Sequence, residues 1–310
     1  MNDQKQKINF YQKRSFGENL TATFDFLKDN WKPILKLCLY VLLPLSVIQG
    51  AFMNNIALAV VDSAINHPTT VASFEGYGPT IFINYILLII FYLIGQTVLT
   101  AIVYTVMQKY RTSETLEKYP LSEIKSDFIS CLKQCFILTF YVMLIAIGYA
   151  VIVGTLGFVF SYLIFFIILG TIPLIVPFIL IYPAYIFGEG TGTNNALKQA
   201  YRLGFPTWGS LFLLLFVLGI IGGVIQTVTF LPWYFAFIVK SVLTYSKTSV
   251  EVTNSMGTDF LMYLLAAVQA FGAFLAGIFV FVGVAFHYFS AAEAKDSVSV
   301  SDDIDNFEQL

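Results

Sequence analysis

The chain has 310 residues, of which 57% are hydrophobic and only 12% are charged. A soluble domain usually carries about 25% charged residues, so this composition excludes an ordinary water-soluble fold. The formal net charge of −2 gives no basic excess, and we expect no nucleic-acid partner.

The missing charge reflects five long stretches without Asp, Glu, Lys or Arg. A membrane span needs roughly 20 apolar residues. Four of the stretches can each hold one span and the longest, Gln134–Gly188, can hold two, so the sequence predicts six transmembrane helices. The other four stretches are Leu37–Val61, Gly76–Gln108, Leu203–Val239 and Phe260–Ala292.

The polar residues 1–14 are predicted to form a flexible segment. Ser15-Phe16-Gly17-Glu18 has the form of a capping box, in which a Ser hydroxyl and a Glu carboxylate each accept a backbone N–H at a helix start. Apolar residues then recur at helical spacing, which predicts an amphipathic helix lying in the membrane interface. This stripe consists of Phe16, Leu20, Phe24, Leu27 and Trp31.

Pro33 is predicted to begin the first span, because proline fits the first turn of a helix. We expect the first two spans at about residues 33–61 and 80–108. A second surface helix is expected to begin near Ser122 and to run into the third span without an obvious break. The third span should end near residues 154–157 and the fourth cover 158–187; the alternative places the turn near residues 170–173.

Residues 193–204 are predicted to form a third surface helix. Thr193 is the expected N-cap, Gly204 suits the C-terminal end, and Pro206 blocks continuation of the helix. The fifth span should follow directly, because the run from Trp208 to Phe230 is apolar.

The C-terminal part begins with an aromatic-rich stretch at residues 231–245, which is typical of an interfacial belt. A polar loop is expected at residues 246–258, and the sixth span at about 260–289. Residues 294–310 hold five acidic side chains and are predicted to be a disordered cytoplasmic tail.

The positions of Lys and Arg predict the orientation. With six spans, fifteen of the seventeen basic residues fall on one side of the membrane, and only Lys240 and Lys247 fall on the other. By the positive-inside rule, both termini should be cytoplasmic. We therefore expect a multi-pass protein of a bacterial cytoplasmic membrane.

The predicted fold is all-α, with six transmembrane helices and three interfacial amphipathic helices on the cytoplasmic face. Each surface helix precedes a pair of spans, and a shift of 174 residues places Ala22 on Ala196, Lys28 on Arg202 and Trp31 on Phe205. This predicts a pseudo-threefold repeat with units at about residues 15–108, 120–187 and 193–290, inside one membrane domain at residues 15–293.

One short motif carries a family resemblance. Glu189-Gly190-Thr191-Gly192, followed by Ala196–Leu203 ahead of an apolar span, resembles the bacterial membrane proteins grouped with the glycerophosphoryl diester phosphodiesterase membrane domain. The resemblance covers most of the chain as a hydropathy pattern. In that family the membrane part is distinct from the catalytic domain, and nothing in this chain resembles the catalytic domain. The resemblance therefore implies the membrane architecture and no enzymatic activity.

The residues offer little catalytic chemistry. The chain has two histidines, His67 and His287, and the predicted topology places them on opposite faces of the membrane, where they cannot share an ion. Cys131 and Cys135 lie one helical turn apart but lack further ligands, so we expect them to act as small apolar fillers. We expect no catalytic residue, no metal and no cofactor, and hence no enzyme.

The Gly/Thr-rich link before residue 193 permits one ligand hypothesis. A helix N-terminus offers free N–H groups to a phosphate, and Thr193, Lys198 and Arg202 would then contact a lipid head group. The alternative interpretation is a flexible link followed by an N-cap.

Small residues on the last two spans predict close helix packing. Gly219 and Gly223 form a GxxxG pair on the fifth span. We expect these spans to pack on neighbours, on each other, or on a second copy in a homo-oligomer. The small-residue seam of the sixth span consists of Ala266, Ala270, Ala273 and Gly277.

Two classes of function remain. The favoured hypothesis is a non-enzymatic membrane protein that acts as a scaffold, interacts with membrane lipids or serves as a partner subunit, with its acidic tail available to a protein partner. The alternative is a passive or weakly coupled carrier or channel for a lipid or other hydrophobic solute. Gln96 and the prolines of the fourth span could line such a path, although no charged residue lies in mid-membrane, where coupled carriers usually keep one.

Overall fold

The computed structural model describes residues 7–66, 78–112, 121–160, 162–188, 192–245 and 256–298. All regular secondary structure in these ranges is α-helical, as predicted. The helices described are α1 (Phe16–Asn66), α2 (Gly78–Thr112), α3 (Leu121–Val159), α4 (Leu163–Phe178), α5 (Ile181–Phe187), α6 (Thr193–Gly204), α7 (Trp208–Tyr245) and α8 (Met256–Asp296).

Within these ranges, six helical stretches are long and apolar enough to cross a membrane, which confirms the predicted number of spans. They are Phe16–Val61, Gly78–Thr112, Lys125–Val159, Ile164–Phe187, Trp208–Thr244 and Gly257–Asp296. The fourth stretch combines α4 and α5. This architecture is that expected of a multi-pass membrane protein.

The chain divides into two compact units, and unit 1 comprises Met1–Ile34, Thr100–Gly219 and Phe279–Leu310. Its core is formed largely by α2 and α8, in which every residue of 101–107 and of 282–292 is buried. A helix that is apolar on all sides must be enclosed by other elements. Outer helices include α6, which packs against α4 and α5.

Residues 7–14 are packed within unit 1, so the prediction of a flexible segment is wrong for them. Phe10 is only 3% exposed, because four aromatic rings surround it at centroid distances of 5.1–6.5 Å. The Arg14 guanidinium donates hydrogen bonds to the carbonyl oxygens of Asn9, Phe10 and Gln12. Burial lowers the pKa of Arg14, while the nearby Glu18 carboxylate raises it. The prediction failed because the segment is mostly polar, and its one buried aromatic residue, Phe10, holds it in place.

The start of α1 has the predicted capping box. The backbone N–H of Ser15 donates to Oε2 of Glu18 at 2.7 Å, and the N–H of Glu18 donates to Oγ of Ser15 at 3.4 Å. The predicted boundary at Pro33 is wrong, because α1 continues without interruption to Asn66. Asn30 and Ile34 are each 2% exposed, so packing on both sides of the proline holds the helix together.

The second predicted surface helix and the third span form one continuous helix, α3, as expected. Helix α3 ends at Val159 and α4 begins at Leu163, so the third span ends close to the first of the two predicted positions. The alternative turn at residues 170–173 is wrong, because α4 runs through it. A break does occur after Phe178, where Pro183 has no N–H to donate to the carbonyl of Ile179.

Helix α6 has the predicted bounds, and a turn at residues 205–207 separates it from α7. The predicted N-cap is wrong: Gly192 occupies that position, and Thr193 is the first helical residue. Gly192 has φ = 104°, a conformation that a side chain disfavours. Backbone geometry therefore selects the glycine over the neighbouring threonine.

Unit 2 comprises Leu35–Leu99 and Ile220–Ile278. A Cβ built on Gly50 would lie 2.6 Å from the backbone nitrogen of Ala267, so α1 and α8 make backbone contact there. The fifth and sixth spans also pack on each other: a Cβ on Gly272 would collide with Thr229, and one on Gly222 would lie 3.2 Å from the carbonyl oxygen of Ala276.

The predicted seam is buried in part on α8, whereas the glycine pair of α7 meets no other described helix of this chain; its contact with a second copy stays a prediction. Ala266 and Ala270 are buried, whereas Ala273 and Gly277 are half-buried. Gly219 and Gly223 are exposed, with open space where a Cβ would stand. The inward face of α7 is set instead by buried residues at helical spacing. These residues are Leu211, Leu214, Leu218 and Gly222.

Two further boundaries differ from prediction. Helix α7 continues through Pro232 to Tyr245. Helix α8 ends at Asp296, so residues 294–296, predicted to begin the disordered tail, are helical. The remaining tail residues, 299–310, lie outside the described residues.

Candidate functional site

The residue types that usually carry catalysis or bind metals do not cluster within the part of the chain that the structure describes. The described residues contain no group of three or more His, Cys, Asp and Glu that could hold a metal ion. Cys131 and Cys135 are buried in unit 1. His287 is also buried, and its Nε2 lies 3.0 Å from Oγ1 of Thr207. His67 lies outside the described residues.

Unit 1 contains a cleft of about 310 Å³, which we call the polar cleft. It forms where the N-terminal segment, the end of α5, α6 and the C-terminal end of α8 come together. Ligand-binding pockets generally begin at about this volume. The lining residues are Tyr11, Phe187, Gly188, Gln199, Arg202, Tyr288, Ala292, Asp296 and Val298.

One wall of the polar cleft is a hydrogen-bonded pair. Nε2 of Gln199 donates to the Tyr288 hydroxyl at 3.0 Å. Gly188 lies directly beside them, since a Cβ built on it would be 2.5 Å from Oε1 of Gln199 and 3.1 Å from the Tyr288 oxygen. Only glycine therefore fits here without displacing the amide and the phenol.

A second wall carries two opposite charges. The Arg202 guanidinium donates two hydrogen bonds to the Asp296 carboxylate, at 2.9 and 2.6 Å. This bidentate geometry orients both groups, yet the side chains remain 46% and 29% exposed. Nζ of Lys295 also donates to the Arg202 carbonyl oxygen at 2.9 Å. The polar cleft thus presents a positive and a negative group side by side.

Of the three residues predicted to contact a head group, only Arg202 lines the polar cleft. Lys198 is exposed on α6, and Thr193 is half-buried at the first position of that helix. The pairing of Arg202 with Asp296 was not predicted, because the two residues are separated by 94 positions in sequence.

Sequence reasoning missed most of the lining, including Tyr11, Gln199 and Tyr288. One signal was present at the end of the sixth span. Tyr288, Ala292 and Asp296 recur every four residues, which places a hydroxyl and a carboxylate on one face of a helix. Polar side chains on one face of a helix, at the end of an apolar run, indicate that this face contacts other polar groups.

The polar cleft lies at the ends of two candidate spans. Phe187 is the last residue of the stretch Ile164–Phe187, and Asp296 is the last of Gly257–Asp296. Both residues line the cleft. Because the hydrocarbon core takes roughly 20 residues of a helix, Asp296, at the end of a 40-residue stretch, lies at or beyond the edge of that core.

Unit 2 contains a second cleft of about 280 Å³, between α7 and α8, with an almost wholly apolar lining. Lys240 lines it, and its Nζ lies 2.5 Å from Oδ1 of Asp259. Neither this cleft nor the polar cleft includes Gln96 or Pro177, which the carrier hypothesis places beside a path.

Comparison of the chain with models of protein families, with curated proteins and with solved structures finds no match. The resemblance to the glycerophosphoryl diester phosphodiesterase membrane domain stays a prediction. The class supported by the fold is a multi-pass membrane protein of six candidate spans.

Proposed function

We propose that this protein is a non-enzymatic membrane protein that binds a phospholipid head group in the polar cleft, at the cytoplasmic face of a bacterial membrane. The observation that carries the proposal is the position of the cleft at the ends of two candidate spans. A polar, partly open cavity at that depth meets head groups rather than acyl chains.

The charges of the polar cleft favour a zwitterionic head group such as phosphoethanolamine. Arg202 suits a phosphate and Asp296 suits an ammonium group, and both side chains keep exposed surface while they pair with each other. A ligand with only a negative charge gains less, because the carboxylate already balances the guanidinium. The Gln199 and Tyr288 pair adds uncharged hydrogen-bonding groups.

Exposed apolar side chains support a surface position for the start of α1. The predicted stripe does not face the core of unit 1. The inward face instead carries Asn19, Thr23 and Phe26, while Phe24 and Trp31 are 39% and 54% exposed. We therefore keep the proposal that this stripe contacts lipid at the interface.

The pseudo-threefold repeat has one supporting observation. Trp31 and Phe205, which the 174-residue shift superposes, are 54% and 50% exposed, and the superposed Ala22 and Ala196 are both buried. If the first and third units are repeats, residues at equivalent positions should be buried to a similar extent, as these two pairs are. The proposed repeat places α6 at the same surface as the start of α1.

Lipid binding tests the proposed function. The purified protein is titrated with short-chain phosphatidylethanolamine, and Arg202→Gln is expected to weaken binding at least about ten-fold, the loss typical of one charge-assisted contact. Lys198→Gln is the matched control, because Lys198 lies one turn away on α6, is exposed and does not line the cleft. Equal losses in the two variants, or none in either, would contradict the proposal.

A second arm identifies the source of the bound group. Soluble phosphoethanolamine, which lacks acyl chains, is titrated in the same way. We expect it to bind much more weakly than the lipid, because acyl chains supply most of the burial in a lipid complex. Equal affinities would assign the polar cleft to a water-soluble ligand and would reject the lipid assignment.

The carrier alternative is favoured by the apolar cleft of unit 2, which suits an acyl chain. That hypothesis predicts movement of labelled lipid across proteoliposomes, unaffected by Arg202→Gln. A protein partner at the acidic tail also stays a proposal, since residues 299–310 lie outside the described residues.

A further inference from the structure

We propose that Tyr11 is a ligand-contacting residue of the polar cleft, and that the N-terminal segment which carries it docks more tightly when a head group is bound. The inference deepens the proposed function and rests on it, because the ligand is the same phospholipid. Tyr11 belongs to the N-terminal segment, residues 7–14, and lines the polar cleft. One wall of the site is therefore supplied by a part of the chain that lies outside the helices.

The N-terminal segment has no secondary structure that would fix its position. Residues 7–15 form neither helix nor strand, and α1 begins only at Phe16. The position of the segment therefore depends on its contacts with the rest of unit 1. A segment held in this way can leave its site without unfolding a helix, and such local opening costs less free energy than global unfolding. Two states of the segment, docked and released, are thus available.

Polar contacts hold the segment at both ends. At its C-terminal end, the Arg14 N–H donates to Oγ of Ser290 at 2.9 Å, and the same hydroxyl donates to the Arg14 carbonyl oxygen at 3.3 Å. Near its N-terminal end, the backbone N–H of Ile8 donates to the Tyr110 hydroxyl at 3.3 Å. Ser290 is buried, so the contact with Arg14 is shielded from solvent. All three hydrogen bonds are lost when the segment is released.

One phenylalanine connects the anchor of the segment to the cleft. The centroid of the Phe289 ring lies 5.1 Å from that of Phe10 and 5.1 Å from that of Tyr11. It also lies 4.9 Å from the centroid of Phe187, which lines the polar cleft. Tyr11 and Phe289 meet edge to face, with 82° between the ring planes, which is a favourable arrangement for aromatic pairs. The docked position of Phe10 therefore holds Tyr11 at the cleft.

The end of α8 contacts both the segment and the cleft. Tyr288 and Ala292 line the polar cleft, whereas Phe289 and Ser290 hold the N-terminal segment. These four residues belong to little more than one turn of helix. The docked segment and a ligand in the cleft consequently lie against the same short stretch of α8, where Tyr11 brings them together.

This arrangement couples ligand binding to docking. A ligand that contacts Tyr11 binds the docked state more tightly than the released state, because the released state lacks that wall. By thermodynamic linkage, the ligand shifts the segment toward the docked state, and docking raises the affinity for the ligand by the same factor. If the released state does not bind at all, a ligand at ten times its Kd lowers the released population about eleven-fold.

Trypsin cleavage of the unmodified protein tests the coupling. Cleavage after Lys13 and Arg14 requires release of the segment, so its rate follows the released population. We expect short-chain phosphatidylethanolamine at ten times its Kd to slow this cleavage at least about three-fold and at most about eleven-fold. In Arg202→Gln, whose affinity is expected to be about ten-fold lower, the same lipid concentration should slow cleavage about two-fold or less. Lys198→Gln is the matched control and should keep full protection, because Lys198 does not line the cleft.

The outcomes separate this inference from the proposed function. Lipid that binds in the titration without slowing cleavage would overturn the coupling and leave the head-group site intact. Equal protection of the unmodified protein and Arg202→Gln would also overturn it, since the lipid would then cover the segment non-specifically. Absence of lipid binding in the titration would reject the proposed function, and the coupling with it.

A double-mutant cycle on the lipid affinity tests the role of Tyr11. Tyr11→Ala and Phe10→Ala are each expected to weaken binding at least about five-fold, the first by loss of the contact and the second by release of the segment. The double variant should bind no more than about two-fold more weakly than Phe10→Ala, because a released Tyr11 no longer lines the cleft. Gln12→Ala changes an exposed residue of the same segment and should bind normally. Losses that multiply in the double variant, or no loss in Tyr11→Ala, would overturn the assignment of Tyr11.

Discussion

At the scale of single residues, some glycines lie where two helices touch and others face open space. Gly50 and Gly223 both lie within predicted spans, but Gly50 contacts another helix and Gly223 does not. A Cβ on Gly50 would lie 2.6 Å from the backbone of α8, whereas a Cβ on Gly223 would meet nothing within 4 Å. The neighbouring helix, and not the glycine itself, therefore decides the effect of a substitution.

Gly50→Ala is predicted to destabilise the protein. The added methyl group collides with backbone atoms that cannot move as a side chain can, and overpacking of this kind costs about 1–3 kcal/mol. We expect a lower thermal midpoint in detergent. Gly223→Ala is the matched control, and it should leave the midpoint unchanged or raise it, because alanine favours the helix. A lower midpoint for the control alone would contradict the assigned packing of α7.

The sequence identifies small residues but not the direction in which they face. Gly219 and Gly223 fit a GxxxG pattern, yet the buried face of α7 is one residue away and includes Gly222. That choice depends on which neighbours surround the helix, and a single helix of apolar residues carries little periodic signal about it. The alanines of α8 were more predictable, because Ala266 and Ala270 repeat on one face.

At the scale of elements, the N-terminal segment behaves as a packed part of unit 1. The backbone N–H of Arg14 donates to Oγ of Ser290 at 2.9 Å, and Nζ of Lys7 donates to the carbonyl oxygen of Arg111 at 2.9 Å. Phe10 supplies the apolar anchor between these polar contacts. The segment also carries Tyr11 to the polar cleft, so its docking helps to form that site.

Phe10→Ala is predicted to release the N-terminal segment. Truncation of a buried phenylalanine costs about 3–5 kcal/mol, which exceeds what a few exposed hydrogen bonds can hold. Trypsin should then cleave after Lys13 and Arg14 at least about ten-fold faster than in the unmodified protein. Gln12→Ala changes an exposed neighbour and should have little effect. Identical cleavage rates for both variants would show that Phe10 is not the anchor.

Helix boundaries were predictable where backbone chemistry sets them. Pro206 ends α6 at the expected position, because proline cannot continue the helix. Gly204, expected just past the end, is instead the last helical residue, and Phe205 is the C-cap. Pro33 gave the opposite result, since buried neighbours hold α1 together through it. The polar cleft was beyond prediction as a whole, because its lining comes from four separate parts of the chain, and only Arg202 was singled out.

At the scale of the whole molecule, charge distribution was the most informative property of the sequence. Stretches without Asp, Glu, Lys or Arg gave the correct number of candidate spans, because a charged side chain in hydrocarbon is costly. The same charges predict the orientation, with both termini cytoplasmic. The proposed head-group site depends on that orientation, since it assigns the ends of α5 and α8 to the inner leaflet.

Cysteine accessibility in intact cells tests this topology most directly. Single cysteines are placed at Lys13, Asn66 and Ser297, and the native Cys38, Cys131 and Cys135 are all buried, so background labelling is low. A membrane-impermeant maleimide should label Asn66→Cys in intact cells, and Lys13→Cys and Ser297→Cys only after permeabilisation. Labelling of Asn66→Cys and Ser297→Cys from the same compartment would contradict the six-span layout and the head-group site that depends on it.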